Sequence, residues 1–212
     1  MKRILILGAS GQIARWVVKD QVTQPATALT LLLRDPTKLA GMETGAAKLV
    51  IGSVLDKKLL RQAMAGQDIV YANLTGDDLA KQAEHIVGAM RAEGVKHLIF
   101  VTSLGIYDEV PGKFGAWNRQ EIGAYLGPYR KAADLIEKSG LDYTILRPAW
   151  LQDDDEVGFE VTERQDPFKG TEVSRRSVAA LVSQIIEDPD AWAGRNVGVN
   201  KPGSDGDKPR FM

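Results

Sequence analysis

The chain has 212 residues, 44% hydrophobic and 26% charged, which is the composition of a water-soluble globular protein with one substantial core. Lysine plus arginine total 27 against 28 for aspartate plus glutamate, so no basic surplus exists to neutralise a nucleic-acid backbone. There is no cysteine and there are only two histidines, His85 and His97, which removes disulfides, thiolate chemistry and nearly every transition-metal site.

The first apolar run, ILIL at 4–7, is ended by Gly8. It is far shorter than the apolar stretch of a secretion signal, and no later run approaches the roughly 20 apolar residues of a membrane span, so a cytoplasmic protein without membrane attachment is expected. Next stands GASGQIA, with Gly8, Gly11 and Ala14 in the pattern G-x-x-G-x-x-A, opening the amphipathic stretch QIARWVVKDQV. Each small residue has a physical reason: a tight turn, close approach of backbone N–H groups to a pyrophosphate, and close packing of helix on sheet. The helix N-terminus adds unsatisfied N–H groups and a partial positive charge.

LTLLL at 29–33 predicts the second strand, which ends at Arg34 with Lys38 one helical turn on. An arginine there suits a ribose 2′-phosphate, where an NAD site places an acid, so NADP(H) is expected over NAD(H). Asp35 argues the other way. KLVI at 48–51 leads to Gly52-Ser53-Val54-Leu55-Asp56, with Ser53 and Val54 expected near the adenine and Asp56 expected to cap the helix that follows. DIVYANL at 68–74 ends in Asn73-Leu74-Thr75-Gly76, small and polar residues over which the nicotinamide side of the cofactor can pass.

Helix-patterned LAKQAEHIVGAMRAEG, strand HLIFVTS at 97–103, a long loop GIYDEVPGKFGAWNRQEIGAY, helix-patterned YRKAADLIEKSG and strand YTILRP at 143–148 complete the first part. Helix ends are expected near Gly66, Gly94 and Gly140. Continuous apolar runs are what strands covered on both faces require, and their alternation with helices predicts a Rossmann-type doubly wound parallel β-sheet with helices on both faces. Beyond Pro148 come the acidic run Asp153-Asp154-Asp155-Glu156, read as a solvated turn rather than a cation site, short strands near 159–163 and 171–174, the helix SRRSVAALVSQIIED and the strand NVGVN. These predict a small C-terminal lobe over about 149–200 and a mobile tail over 201–212, within a single domain of residues 1–212. No metal site is expected.

GASGQIA, HLIFVTSLGIY and above all SGLDYTILRPAWL at 139–151 resemble the atypical short-chain dehydrogenase/reductase superfamily, in its NmrA-like NAD(P)-binding branch. The resemblance implies a cofactor lying across the strand ends. Gly8, Gly11 and Ile13 would stand near the pyrophosphate with Ser10 and Gln12 of the same loop, Thr102 would lie at the fifth strand's end, and Pro148 would sit beside the nicotinamide. Catalytic members carry a serine after the fifth strand and a Tyr-x-x-x-Lys pair. Ser103 matches the first and Tyr125 the second, but Tyr129 stands where the lysine is required, and Lys131 lies about 200° around a helix from Tyr129. Gly127-Pro128 also interrupts a helix through Tyr125.

These features predict an NADP(H)-binding oxidoreductase acting on a small-molecule substrate or acceptor without an intact dyad. Tyr107, Phe114, Trp117 and Trp150 are candidates to wall an apolar pocket over the nicotinamide. The alternative is a cofactor-sensing regulator that acts through a protein partner; a nucleotide-sugar epimerase, which needs the intact dyad, ranks third. Neither nucleic acid nor membrane is an expected partner, and oligomeric state is not legible.

Overall fold

The computed structural model describes all of residues 1–212. Along the chain run β1 Lys2–Leu7, α1 Gln12–Val22, β2 Thr27–Leu33, β3 Lys48–Ile51, α2 Lys57–Met64, β4 Ile69–Ala72, α3 Leu79–Glu93 and β5 His97–Val101. They are followed by α4 Gly112–Ile122, α5 Leu126–Glu137, β6 Asp142–Pro148, β7 Trp150–Gln152, β8 Glu160–Thr162, β9 Glu172–Ser174, α6 Arg175–Glu187 and β10 Arg195–Asn200.

β1 shows why the apolar runs are continuous. Ile4 and Ile6 point into a core shared with Val17 and Val18 of α1 and Val178 and Val182 of α6, while Leu5 and Leu7 point into a second core with Leu60, Ile86, Met90 and Ile136 from α2, α3 and α5. All four strand side chains are fully buried. Each such burial is worth about 1.5–3 kcal/mol, so a polar residue at any of them would be costly.

Eight strands form one sheet in the order β3-β2-β1-β4-β5-β6-β10-β8, parallel except where β8 runs antiparallel to β10; β7 and β9 form a separate parallel pair. The fold is thus the α/β Rossmann arrangement expected. The order reverses at β1, which pairs with β2 on one side and β4 on the other, through Ile4↔Leu29 and Ile4↔Ile69. A reversal opens a crevice beyond the carboxyl ends of these strands, where such sheets take ligands.

Two local expectations need correction. The stretch read as a loop after the fifth strand contains α4, whose glycines and polar residues hide its periodicity from sequence. Gly115 is inside this helix because a Cβ there would stand 2.0 Å from the Val110 carbonyl oxygen. The expected interruption at Gly127-Pro128 falls earlier, as a 3₁₀ turn at Gly123–Tyr125; Pro128 sits in the first turn of α5, where its missing N–H has no intrahelical acceptor to serve.

The acidic run is exposed but ion-paired rather than merely solvated. Asp153 meets Arg175 at 2.9 Å and Glu156 meets Lys201 at 2.8 Å, while Asp155 pairs with Arg176 and Asp154 with Arg210. Asp153 and Asp155 are thereby held at the N-terminal end of α6, where negative charge complements the helix dipole, while Asp154 and Glu156 tie the run to the C-terminal residues. From the C-terminal residues the Arg210 backbone N–H donates to the Glu172 carboxylate at 2.9 Å, and the Ser204 carbonyl accepts from the Thr171 N–H at 3.1 Å.

Candidate cofactor and acceptor site

The turn from β1 into α1 is built around Gly8 and Gly11. Gly8 has φ +76, in the left-handed region, and a Cβ there would stand 2.4 Å from the carbonyl oxygen of Asn73. A Cβ on Gly11 would stand 2.4 Å from Asn73 Nδ2. The loop therefore lies directly against the end of β4, which only glycine permits. Gly11 caps α1 without any side-chain acceptor, and the first turn carries no acid, so the leading N–H groups of an 11-residue helix stay open to an outside anion.

This loop borders a cavity of about 530 Å³ that runs from the end of β2 to the end of β4. Gly8, Ser10, Gly11, Arg34, Lys38, Ser53, Val54, Asn73, Leu74 and Thr75 all line it, so ten of the expected cofactor residues from four segments converge there. Gln12 faces a neighbouring cavity with Arg15 and Trp16, and Ile13 is buried in the core, which leaves their backbone N–H groups as what they offer the loop. Asp35 also lines the cavity, with one of its oxygens engaged: its Oδ1 accepts from the Thr37 backbone N–H at 3.0 Å and from the Thr37 hydroxyl at 2.6 Å. Those two bonds hold its carboxyl below the usual carboxylate range. Asp56 serves as a cap, accepting from Lys58 and Leu59 N–H at 3.0 Å each.

A second cavity of about 490 Å³ adjoins the first, sharing Thr75 and Gly76 as lining. Thr102, Ser103, Tyr125 and Pro148 line it together with Trp150 and Tyr129. Thr102 is fastened to β6, its hydroxyl donating to the Leu146 carbonyl at 3.0 Å. Ser103 makes only a 3.2 Å bond to the adjacent Leu104 carbonyl. Tyr125 is 66% exposed, at the rim. Tyr129, which sequence reasoning treated only as a missing lysine, has its hydroxyl 2.7 Å from Thr75 Oγ1, at the junction of the two cavities.

Of the aromatic residues expected as walls, Trp150 faces this cavity and is backed by Trp117 at 4.8 Å, which in turn stacks on Phe114 at 6.0 Å. Asn118 fixes the Trp150 indole by accepting its N–H at 2.8 Å. Tyr107 does not wall the cavity. It enters a polar cluster, with Arg130 and Arg164 at 4.5 and 4.2 Å from its ring centre and Asn196 donating to its hydroxyl at 2.9 Å. Burial and the charge of Glu137 raise the pKa of this phenol, against the opposing pull of Arg164 and Asn196.

That cluster supports the Ser103 loop from below. Arg147, fully buried on β6, pairs with Glu109 and donates to Asn196 Oδ1 at 2.9 Å. Glu109 accepts the backbone N–H groups of Gly105 at 3.0 Å and Tyr107 at 2.9 Å. One buried ion pair thus shapes the segment between Ser103 and α4. Sequence carried one sign of it, an arginine inside the apolar strand YTILRP, because a buried charge needs a partner.

The family model described as NAD(P)H-binding matches residues 8–189. A Rossmann-fold NAD(P)-binding family protein from Shigella flexneri is 51% identical, with all of both chains covered and a TM-score of 0.87. A short-chain dehydrogenase/reductase from Veillonella parvula DSM 2008, solved in complex with NADP, is 27% identical over 99% of each chain, with a TM-score of 0.89. Among curated proteins, an NAD(P)H azoreductase of Xenophilus azovorans is 23% identical over 88% of this chain, a match that spans 64% of the azoreductase's own length. With the matched region running from Gly8 through α6, the chain belongs to the NAD(P)H-binding family of Rossmann-fold proteins, similar to the short-chain dehydrogenase/reductases.

Proposed function

We propose that the protein is an NADP(H)-dependent reductase of a small organic acceptor. The observation that carries this reading is the adjacency of two unlike cavities that share Thr75 and Gly76: one glycine-walled and flanked by Arg34 and Lys38, the other largely apolar and bearing Ser103. A dinucleotide has the matching polarity, with phosphates at one end and a ring that gives or takes hydride at the other.

In this reading the open N–H groups of α1 and the loop from Gly8 to Ile13 hold the pyrophosphate, and Arg34 with Lys38 hold a 2′-phosphate. Asp35, with its Oδ1 engaged by Thr37, is one acid beside the two cations Arg34 and Lys38. Asn73, Leu74 and the hydrogen-bonded pair of Thr75 and Tyr129 support the ribose on the nicotinamide side, and Pro148 and Thr102 border the ring. Ser103 orients the acceptor. Tyr125 has no lysine at its fourth following residue and lies open to water, so solvent supplies the proton and Tyr125 borders the entrance.

Titration of the protein with NADPH and NADH, followed by addition of a neutral naphthoquinone, tests this. NADPH is expected to bind more tightly than NADH and to be oxidised on addition of the quinone. Binding without oxidation by any acceptor favours instead the cofactor-sensing reading, to which the Tyr125-x-x-x-Tyr129 pattern lends its one observation. Failure of both dinucleotides to bind refutes the proposal.

A further inference from the structure

The acceptor cavity has a property that selects among substrates. None of its 15 lining residues carries a positive charge, and its single acidic side chain is Asp77. The nearest cations along the chain are committed elsewhere or exposed: Arg130 is held by Asp134 at 2.8 Å and donates to the Ile106 carbonyl at 3.1 Å, Arg147 is buried against Glu109, and Lys131 is exposed. The N-terminus of α5 borders the cavity but is poor in free donors, because the Leu126 N–H is given to the Gly123 carbonyl and Pro128 has none. The rest of the lining is mostly apolar and aromatic, with Leu104, Ile122, Pro148, Leu151 and Trp150 among it, and its polar side chains are neutral hydroxyls: Thr75 and Tyr129 are bonded to each other at 2.7 Å, Thr102 to the Leu146 carbonyl at 3.0 Å, and Ser103 and Tyr125 complete the set.

An anion entering such a space sheds hydration and gains no cation, only the neutral hydroxyls of Ser103 and Tyr125, which serve a carbonyl or amide as well. Asp77 adds repulsion, and so would the phosphates of a dinucleotide in the adjoining cavity. A neutral ring meets only favourable surface, including the indole of Trp150 for offset stacking. We infer, building on the reductase reading above, that the acceptor is an uncharged, largely apolar aromatic or quinonoid ring, and that rings bearing a carboxylate, sulfonate or phosphate at the buried end are rejected.

A pair of probes matched in shape separates charge from size: naphthalene carboxamide and naphthalene carboxylate. Each is titrated at neutral pH into the protein, with and without saturating NADP⁺, while the indole N–H resonance of Trp150 is followed by NMR. The carboxamide is expected to shift that resonance and to bind about tenfold more tightly or better than the carboxylate, a gap that widens with NADP⁺ present. Asp77→Asn is expected to narrow the gap by about threefold through the carboxylate alone. Equal or tighter binding of the carboxylate overturns the inference, as does the absence of any effect of either probe on Trp150. Calorimetry of NADPH on the same samples reads the reductase proposal separately: its failure there, with the charge preference intact in the free protein, removes the cofactor reading and leaves the selectivity of the cavity standing.

Discussion

The two ends of the cleft are held in shape by opposite means. At the phosphate end the geometry comes from missing atoms: Gly8 and Gly11 let one turn lie against Asn73, and almost no side chain is needed to hold the loop. At the acceptor end it comes from an accumulation of side chains, with Arg147, Glu109, Asn196, Glu137 and Arg164 joined beneath the segment that carries Ser103. A backbone-built site recognises a constant ligand part, whereas a site resting on a side-chain cluster can be reshaped by substitution. In the reductase reading proposed above, the first then suits a shared cofactor and the second a particular acceptor.

Substitutions should separate the two halves. The largest effect is expected from Glu109→Ala, which strands the buried Arg147 charge and frees two backbone N–H groups. A loss of about 3–5 kcal/mol in stability is expected, seen as a fall of roughly 10 °C or more in Tm. Changing both partners to apolar residues should recover part of it. Next is Gly8→Ala, which combines a left-handed φ with an overlap against a backbone carbonyl; about 2–4 kcal/mol is expected, with a loss of NADPH affinity measured by calorimetry. If Gly8→Ala instead spared NADPH binding, the backbone-built account of that end would fail.

Arg34→Ala sharpens the comparison without disturbing the fold. It should weaken NADPH by about tenfold and leave NADH unchanged, because only the 2′-phosphate loses a partner. Tyr129→Phe removes the hydroxyl next to Thr75 and should raise the Kd for NADPH by about threefold to tenfold, with a stability change within about 1 kcal/mol. The smallest effect concerns Asp35. Its carboxyl titrates below its ordinary value because Thr37 donates to it, so its contribution to stability is present above the unfolded-state pKa and disappears as pH falls through the lowered folded value. Thr37→Val should move the Asp35 midpoint upward in an NMR titration and leave the thermal midpoint at neutral pH nearly unchanged.

The parts legible in the sequence are those that obey local rules. Apolar runs covered on both faces, Gly94 as the left-handed cap of α3, Asp56 as the cap of α2 and the glycine spacing after β1 all act within a few residues of chain, so pattern reading finds them; the run KLVI is the exception, because β3 is the sheet's edge strand and leaves Leu49 and Ile51 exposed. α4 escaped because Gly115 answers to Val110 rather than to helix propensity. Tyr107 escaped because its surroundings come from α5, β6, β10 and the segment after β8, which the sequence sets far apart. The pairing of Thr75 with Tyr129 spans 54 residues and has no local trace.

The most direct test is amide NMR of the protein titrated with NADP⁺. The account predicts that resonances of the loop from Gly8 to Ile13, of Arg34, Ser53 and Asn73 to Gly76, and of Thr102 and Ser103 shift together with one affinity, marking a single molecule laid across both cavities. Shifts confined to one cavity, or clustered around Arg15, Trp16 and Arg175 instead, would contradict it.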